Sequence, residues 1–84
     1  MYEVFIESSA EKDLKKFQPD DYDRVMRHII GLADNPKPAG CRKIVGSAND
    51  WRIRIGVFRV IYELDNKTKT VKVMRIKHRR EAYR

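Results

Sequence analysis

Apolar positions first alternate with polar ones, then recur at helical spacing, then return to alternation, which predicts a strand, helices and further strands in that order. Tyr2, Val4 and Ile6 share one side of a short opening strand, with Glu3, Phe5 and Glu7 on the other. Ser8-Ser9-Ala10-Glu11 has the S-x-x-E spacing of a capping box, in which hydroxyl and carboxylate each satisfy an unpaired backbone N–H. A first helix is expected from there, with Ala10, Leu14 and Phe17 on its apolar face, Lys12, Asp13, Lys15 and Lys16 mostly toward water, and an end near Pro19. Asp20, Asp21 and Asp23 place negative charge in the first turn of a second, longer helix, where the helix dipole favours it. Its apolar stripe is Val25, Met26, Ile29, Ile30 and Ala33, and Asn35-Pro36 ends it. Two such helices form an αα-hairpin that needs an apolar surface to cover.

That surface comes from the second half. Residues 42–45 predict a short strand, 46–50 a turn, and Trp51-Arg52-Ile53-Arg54-Ile55 a strand of strict apolar and basic alternation. Gly56-Val57 is a tight turn into a strand over 58–64, where Phe58, Val60, Tyr62 and Leu64 share one face. After a turn at 65–68, residues 70–77 form the last strand, and His78-Arg79-Arg80-Glu81-Ala82-Tyr83-Arg84 closes the chain. The expected class is α+β in the order β-α-α-β-β-β-β, with the N-terminal αα-hairpin packed on a mostly antiparallel sheet.

With 84 residues the chain has room for one domain, expected to span 1–84, and 42% hydrophobic residues suffice for its core. Cys41 is the single cysteine, which excludes an internal disulfide framework and a thiolate zinc site and fits a reducing cytoplasm. Glu3 and Glu7 interrupt the first apolar stretch, which lacks the basic start of a secretory signal, and no run reaches the roughly 18 apolar residues of a membrane span. A cytoplasmic protein without metal, small-molecule cofactor or membrane partner is expected.

Nineteen Lys and Arg against twelve Asp and Glu leave a formal charge of +7, so an anionic partner is the default. The excess is one-sided: residues 1–41 balance at −2 and residues 42–84 at +9. Because strand side chains alternate, Trp51, Ile53 and Ile55 belong under the helices, Arg52 and Arg54 point away, and Arg59 joins them across the turn. Like charges opposite one another on paired strands cost up to about 1 kcal/mol, and Glu63 is the only acid in residues 51–64, so the cluster suggests an anion. The competing reading is the ordinary wet face of an antiparallel sheet.

Arginine suits phosphate because its planar fork donates paired, charge-assisted hydrogen bonds and stays ionised. RNA cleavage needs a 2′-OH aligned with its phosphodiester, a proton acceptor, donors on the pentacoordinate phosphate and help for the leaving 5′-oxygen. Arg52, Arg54 and Arg59 serve the phosphate, but a side chain with a pKa above about 12 is a poor base. His78, Lys77 and Tyr83 are the candidates for moving the proton, Tyr83 equally for stacking on a base or anchoring the C-terminus. Trp51 reads as core, His28 lacks partners at metal-ligand spacing, and Cys41 lacks an activating neighbour.

The opening strand, the αα-hairpin, the loop containing Gly46, the segments Asp50-Trp51-Arg52-Ile53-Arg54-Ile55-Gly56 and Phe58-Arg59-Val60-Ile61-Tyr62, and the ending His78 to Arg84 together resemble the RelE/ParE superfamily of toxins from toxin–antitoxin pairs. The resemblance implies the RelE-like microbial RNase fold and, for RelE-type members, metal-independent cleavage of messenger RNA in the ribosomal A site, by 2′-OH attack that leaves a 2′,3′-cyclic phosphate. It places the family's basic third-strand residues on Arg52 and Arg54, its phosphate-binding arginine on Arg59, its C-terminal tyrosine on Tyr83, and a further arginine on Lys77 or Arg79. Arginines at 52 and 54, where lysines occur in the best-known pattern, remove the simplest lysine base and direct attention to His78. Arg42, Lys43, Arg75, Arg79 and Arg80 are the accompanying candidates for RNA contact. The implied partners are an acidic antitoxin, the ribosome and mRNA; ParE-type members, which inhibit DNA gyrase, share the scaffold and are the alternative, and a basic protein that binds RNA without cutting it is a third.

Overall fold

The computed structural model describes the backbone of residues 1–82 and the side chains through residue 80. Its elements are β1 (Glu3–Ile6), α1 (Ser8–Lys15), α2 (Pro19–Gly31), β2 (Arg42–Lys43), β3 (Asp50–Ile55), β4 (Phe58–Asp65), β5 (Thr70–His78) and a short α3 (Arg79–Ala82). The strands form one sheet in the order β1-β5-β4-β3-β2, with β1 parallel to β5 and every other pair antiparallel. This is the expected α+β arrangement, with α3 added where only a closing tail was foreseen.

The helices cover one face of the sheet. Ala10 and Leu14 of α1, Val25 and Ile29 of α2, and Leu32 just beyond it meet Ile53, Ile55, Phe58, Val60, Tyr62, Leu64, Val71, Val73 and Ile76 in one buried cluster. The buried stripe of the second helical segment is Val25, Ile29 and Leu32, spaced i, i+4, i+7. Ile30, expected in that stripe, lies a further 100° around the helix and is 62% exposed. Pro19 both stops α1 and starts α2, occupying the first turn, where its missing N–H has no helical partner in any case.

The anticipated capping box does not form: α1 already includes Ser8, Glu7 precedes it, and no side chain caps its first turn. The reason lies in β5. That strand is nine residues long and β1 only four, so the edge of β5 beyond Val73 has no strand to pair with. α1 takes over: Glu7 N–H donates to Val73 O, Ser9 Oγ donates to Met74 O at 2.6 Å, and Ile76 N–H donates to Asp13 Oδ2 at 2.9 Å. Arg75 Nε closes on the same carboxylate at 2.9 Å. Asp13, expected to face water, is thus buried, and its position three residues after Ala10 is the core spacing of α1.

β5 also carries a bulge. Ile61 pairs with Arg75 but Tyr62 pairs with Val73, leaving Met74 as an extra residue. Val71 and Val73 face the helices before it, Ile76 and His78 after it, so the inward parity switches from odd to even. The β3–β4 connection is the expected two-residue turn, with Gly56 at φ +61°. A Cβ there would also lie 2.7 Å from Arg24 Nη2.

Burial by itself raises the Asp13 carboxyl, but hydrogen bonds from Arg75 and Ile76 and the charges of Arg75 and Lys16 outweigh it and hold its pKa below the ordinary 3.8. A folded-state value below the unfolded one gives stability that is complete above 3.8 and lost as pH falls through the lower, folded value. Asp13→Ala is expected to cost about 2 kcal/mol in urea unfolding at neutral pH. The advantage of wild type over Asp13→Asn should shrink on the acid limb below pH 3.8. Gly56→Ala should cost about 1 kcal/mol and Gly56→Asn less, because asparagine tolerates positive φ; thermal melts of the two variants measure the difference.

Candidate nucleic-acid interface

Residues paired across strands point to the same side, so the register reads out the open face row by row. Nearest the β3–β4 turn, Arg54 of β3 stands opposite Arg59 of β4, and Arg59 opposite Lys77 of β5. The next row is Arg42, Arg52, Ile61 and Arg75. Beyond the bulge the sign changes: Asp50 pairs with Glu63, Glu63 with Lys72, and Asp65 with Thr70, which pairs with Glu3. The open face is therefore basic at the hairpin end and mixed to acidic at the other, a charge distribution that attracts anions to the former.

Two hollows lie in the basic end. One of about 80 Å³ is lined by Arg54, Gly56, Val57, Phe58, Arg59 and Arg79. The other, of about 350 Å³, is lined by Ala39, Gly40, Arg42, Arg52 and Arg54. Arg79 is held at the first because its N–H donates to Val57 O at 2.6 Å, tying the start of α3 to the turn. The wall of the second is anchored by Tyr62, a fully buried residue whose hydroxyl donates to Pro36 O at 2.6 Å; burial, together with the neighbouring Cys41, pushes that phenol well above its usual range. Lys37 Nζ sits 4.7 Å over the ring of Trp51, which packs against the core as expected.

Arg52, Arg54 and Arg59 share the open face as expected, Arg42 and Lys77 stand in register with them, and Arg79 lines the smaller hollow. His78 does not join them: it faces the helices, its ring edge-on to Phe58 at 5.6 Å, and its Nδ1 accepts from Arg80 N–H at 3.2 Å. The bulge turns it away from the arginines, which corrects its assignment to the same site. Lys43 pairs with Trp51 on the helix side of β2. Arg75 is committed to Asp13, and Arg80 is exposed and lines neither hollow. Tyr83 lies outside the described residues. Ala39 and Gly40, as walls of the larger hollow, had no signal in the sequence beyond their place in a Pro- and Gly-rich loop. Among the described residues no group of three or more His, Cys, Asp or Glu is placed to hold a metal ion, and no helix is long and apolar enough to cross a membrane.

Three cations in register across adjacent strands oppose folding. Arg54→Thr is therefore expected to raise the stability of the isolated chain by about 0.5 kcal/mol at low ionic strength. The gain should fade as added salt shortens the Debye length, and urea titrations at two salt concentrations measure it.

The described geometry has close counterparts. Residues 4–83 match the family model for the ParE toxin of the type II toxin–antitoxin system parDE. The chain is 30% identical over 84 residues to the toxin RelG of Mycobacterium tuberculosis, covering 99% of this chain and 97% of that one. It superposes on the archaeal RelE–RelB complex of Pyrococcus horikoshii with a TM-score of 0.83 at 29% identity, covering 93% of this chain and 94% of that one. For the toxin–antitoxin complex RelBE2 of Mycobacterium tuberculosis the TM-score is 0.82 at 26% identity, with 92% and 96% covered. The chain accordingly belongs to the ParE toxin family and is a RelE-like toxin of a type II toxin–antitoxin system.

Proposed function

We propose that this toxin is a ribosome-dependent endonuclease that cuts mRNA in the A site without a metal ion. The observation that carries the reading is the row Arg54, Arg59 and Lys77, three cations aligned across three strands beside a hollow. Such an alignment opposes folding, and a phosphate that gains charge in the transition state gives it a purpose. The new bond joins the 2′-oxygen to phosphorus and the broken one frees the 5′-oxygen. Arg54 and Arg59 donate to the non-bridging oxygens, and Arg52 secures the strand in the adjoining row. Lys77, next to Arg59, gives the leaving oxygen its proton, and Tyr83, reacting as its phenolate, takes the proton of the 2′-OH. DNA, which has no 2′-OH, is spared.

Charge also supports a cytoplasmic antitoxin partner. An acidic, partly disordered peptide complements the +9 half of the chain and would quench its field while covering the arginines.

The match to the ParE toxin model favours a second reading, a gyrase-directed inhibitor that needs no nuclease chemistry. In vitro translation followed by primer extension separates the two: codon-phased breaks are expected, whereas intact message with arrested supercoiling would establish the second. Within the nuclease reading, Arg59→Ala should slow single-turnover cleavage about 10²- to 10³-fold, as for a lost oxyanion donor. Lys77→Ala should slow it by at least about tenfold, and His78→Asn by less than about threefold. A His78→Asn enzyme as impaired as Lys77→Ala would overturn the assignment of the proton to the outer face.

A further inference from the structure

The larger hollow extends one row beyond the one that surrounds the reacting phosphate and shares only Arg54 with it. It is walled by Ala39 and Gly40 and floored by Arg42, Arg52 and Arg54. None of these three guanidinium groups has an ion pair or hydrogen bond among the described residues. Arg42 is opposite Arg52 in register, so two like charges face each other across β2 and β3 with no acid between them. Its volume of about 350 Å³ falls at the small end of the range for built ligand sites.

Resting on the nuclease reading, we propose that this hollow binds a second phosphate of the RNA, the one adjacent to the phosphate that is cut, and that Arg42 is the residue dedicated to it. Arg54 lines both hollows, so the two sites are continuous. Arg52 and Arg54 are two residues apart on one strand, a separation of about 6.7 Å. That matches the spacing of successive phosphates in an extended single strand. The backbone therefore steps along β3 from Arg54 to Arg52 and turns there toward Arg42 on β2, because the acidic row beginning at Asp50 and Glu63 keeps it from running farther down the sheet. Planar guanidinium forks facing one hollow suit the tetrahedral oxygens of a phosphodiester. The minimal substrate then carries two consecutive phosphates, and part of the binding comes from a group that does not react.

The test is a double-substitution cycle on ribosome complexes programmed with defined messages. Wild-type toxin and Arg42→Gln are each given normal RNA or RNA with a neutral methylphosphonate one position to either side of the cut, and single-turnover cleavage is measured. On one side the neutral linkage should slow the wild type about tenfold. Arg42→Gln should be slowed by a similar factor on normal RNA, and the two changes together should be no worse than either alone. Arg42→Lys, which keeps the charge but not the fork, should recover part of the rate. The proposal is overturned if the two effects multiply, if wild type is indifferent to both flanking substitutions, or if Arg42→Gln cuts at the parent rate and weakens only the antitoxin complex. That last result would assign the hollow to carboxylates of the antitoxin. Failure of the wild type to cut unmodified message would instead overturn the nuclease reading, and this inference with it.

Discussion

Side chains on a strand alternate between its faces, and one extra residue in β5 reverses that alternation partway along the strand. Met74 is opposed by no residue of β4, so Val71 and Val73 point into the core on one side of it and Ile76 and His78 on the other. Without the bulge, Arg75 and Lys77 would face inward with Val71 and Val73, and two cations would be driven into the apolar layer. With it, Lys77 stands beside Arg59, and the basic row spans three strands. α1 secures this part of β5 with polar groups in place of a strand. Asp13 accepts from Ile76 N–H and holds Arg75, while Ser9 serves Met74 O. The distortion that places the site is thus braced where β1 stops.

The resulting face carries a physical cost. Arginines opposite one another weaken the sheet, and the apolar layer beneath must offset the repulsion. Such an arrangement persists at functional sites, where local preferences are overridden for the sake of a ligand. The sign change at the level of Asp50 and Glu63 adds direction, because a polyanion is attracted at one end of the face and repelled at the other. A partner that neutralises the basic end would relieve this repulsion and stabilise the chain.

RelE-like and ParE-like toxins can share this scaffold, so membership of the family is a statement about architecture, and the chemistry has to be argued from side chains. Here the register of the strands decides which groups share a face. Arg54 and Arg59 are joined by a two-residue turn, the shortest connection that leaves two strands in register. Their juxtaposition is a local event and survives changes elsewhere. Lys77 and Arg79 arrive from a distant part of the chain and depend on β5 and on the contact between Arg79 N–H and Val57 O.

Much of this was legible in the sequence because it depends on local periodicity. The αα-hairpin, the strict alternation from Trp51 to Ile55, the turn at Gly56 and the outward pointing of Arg52, Arg54 and Arg59 all follow from the spacing of apolar residues. Other features were not legible, and each depends on a contact between residues far apart in sequence. The serine expected to cap α1 gave way to a neighbour that bonds β5, since an unpaired strand edge needed donors and acceptors more than the helix end did. The burial of Asp13 has no local signal because its partners, Arg75 and Ile76, are 62 and 63 residues away. His78 and Lys77 are adjacent in the chain and lie on opposite faces, and only the pairing of β5 with β4 decides which of them meets the arginines. Periodicity by itself determines which residues can share a face; a bulge, which shifts parity by one, is decided by how the whole sheet closes over its core.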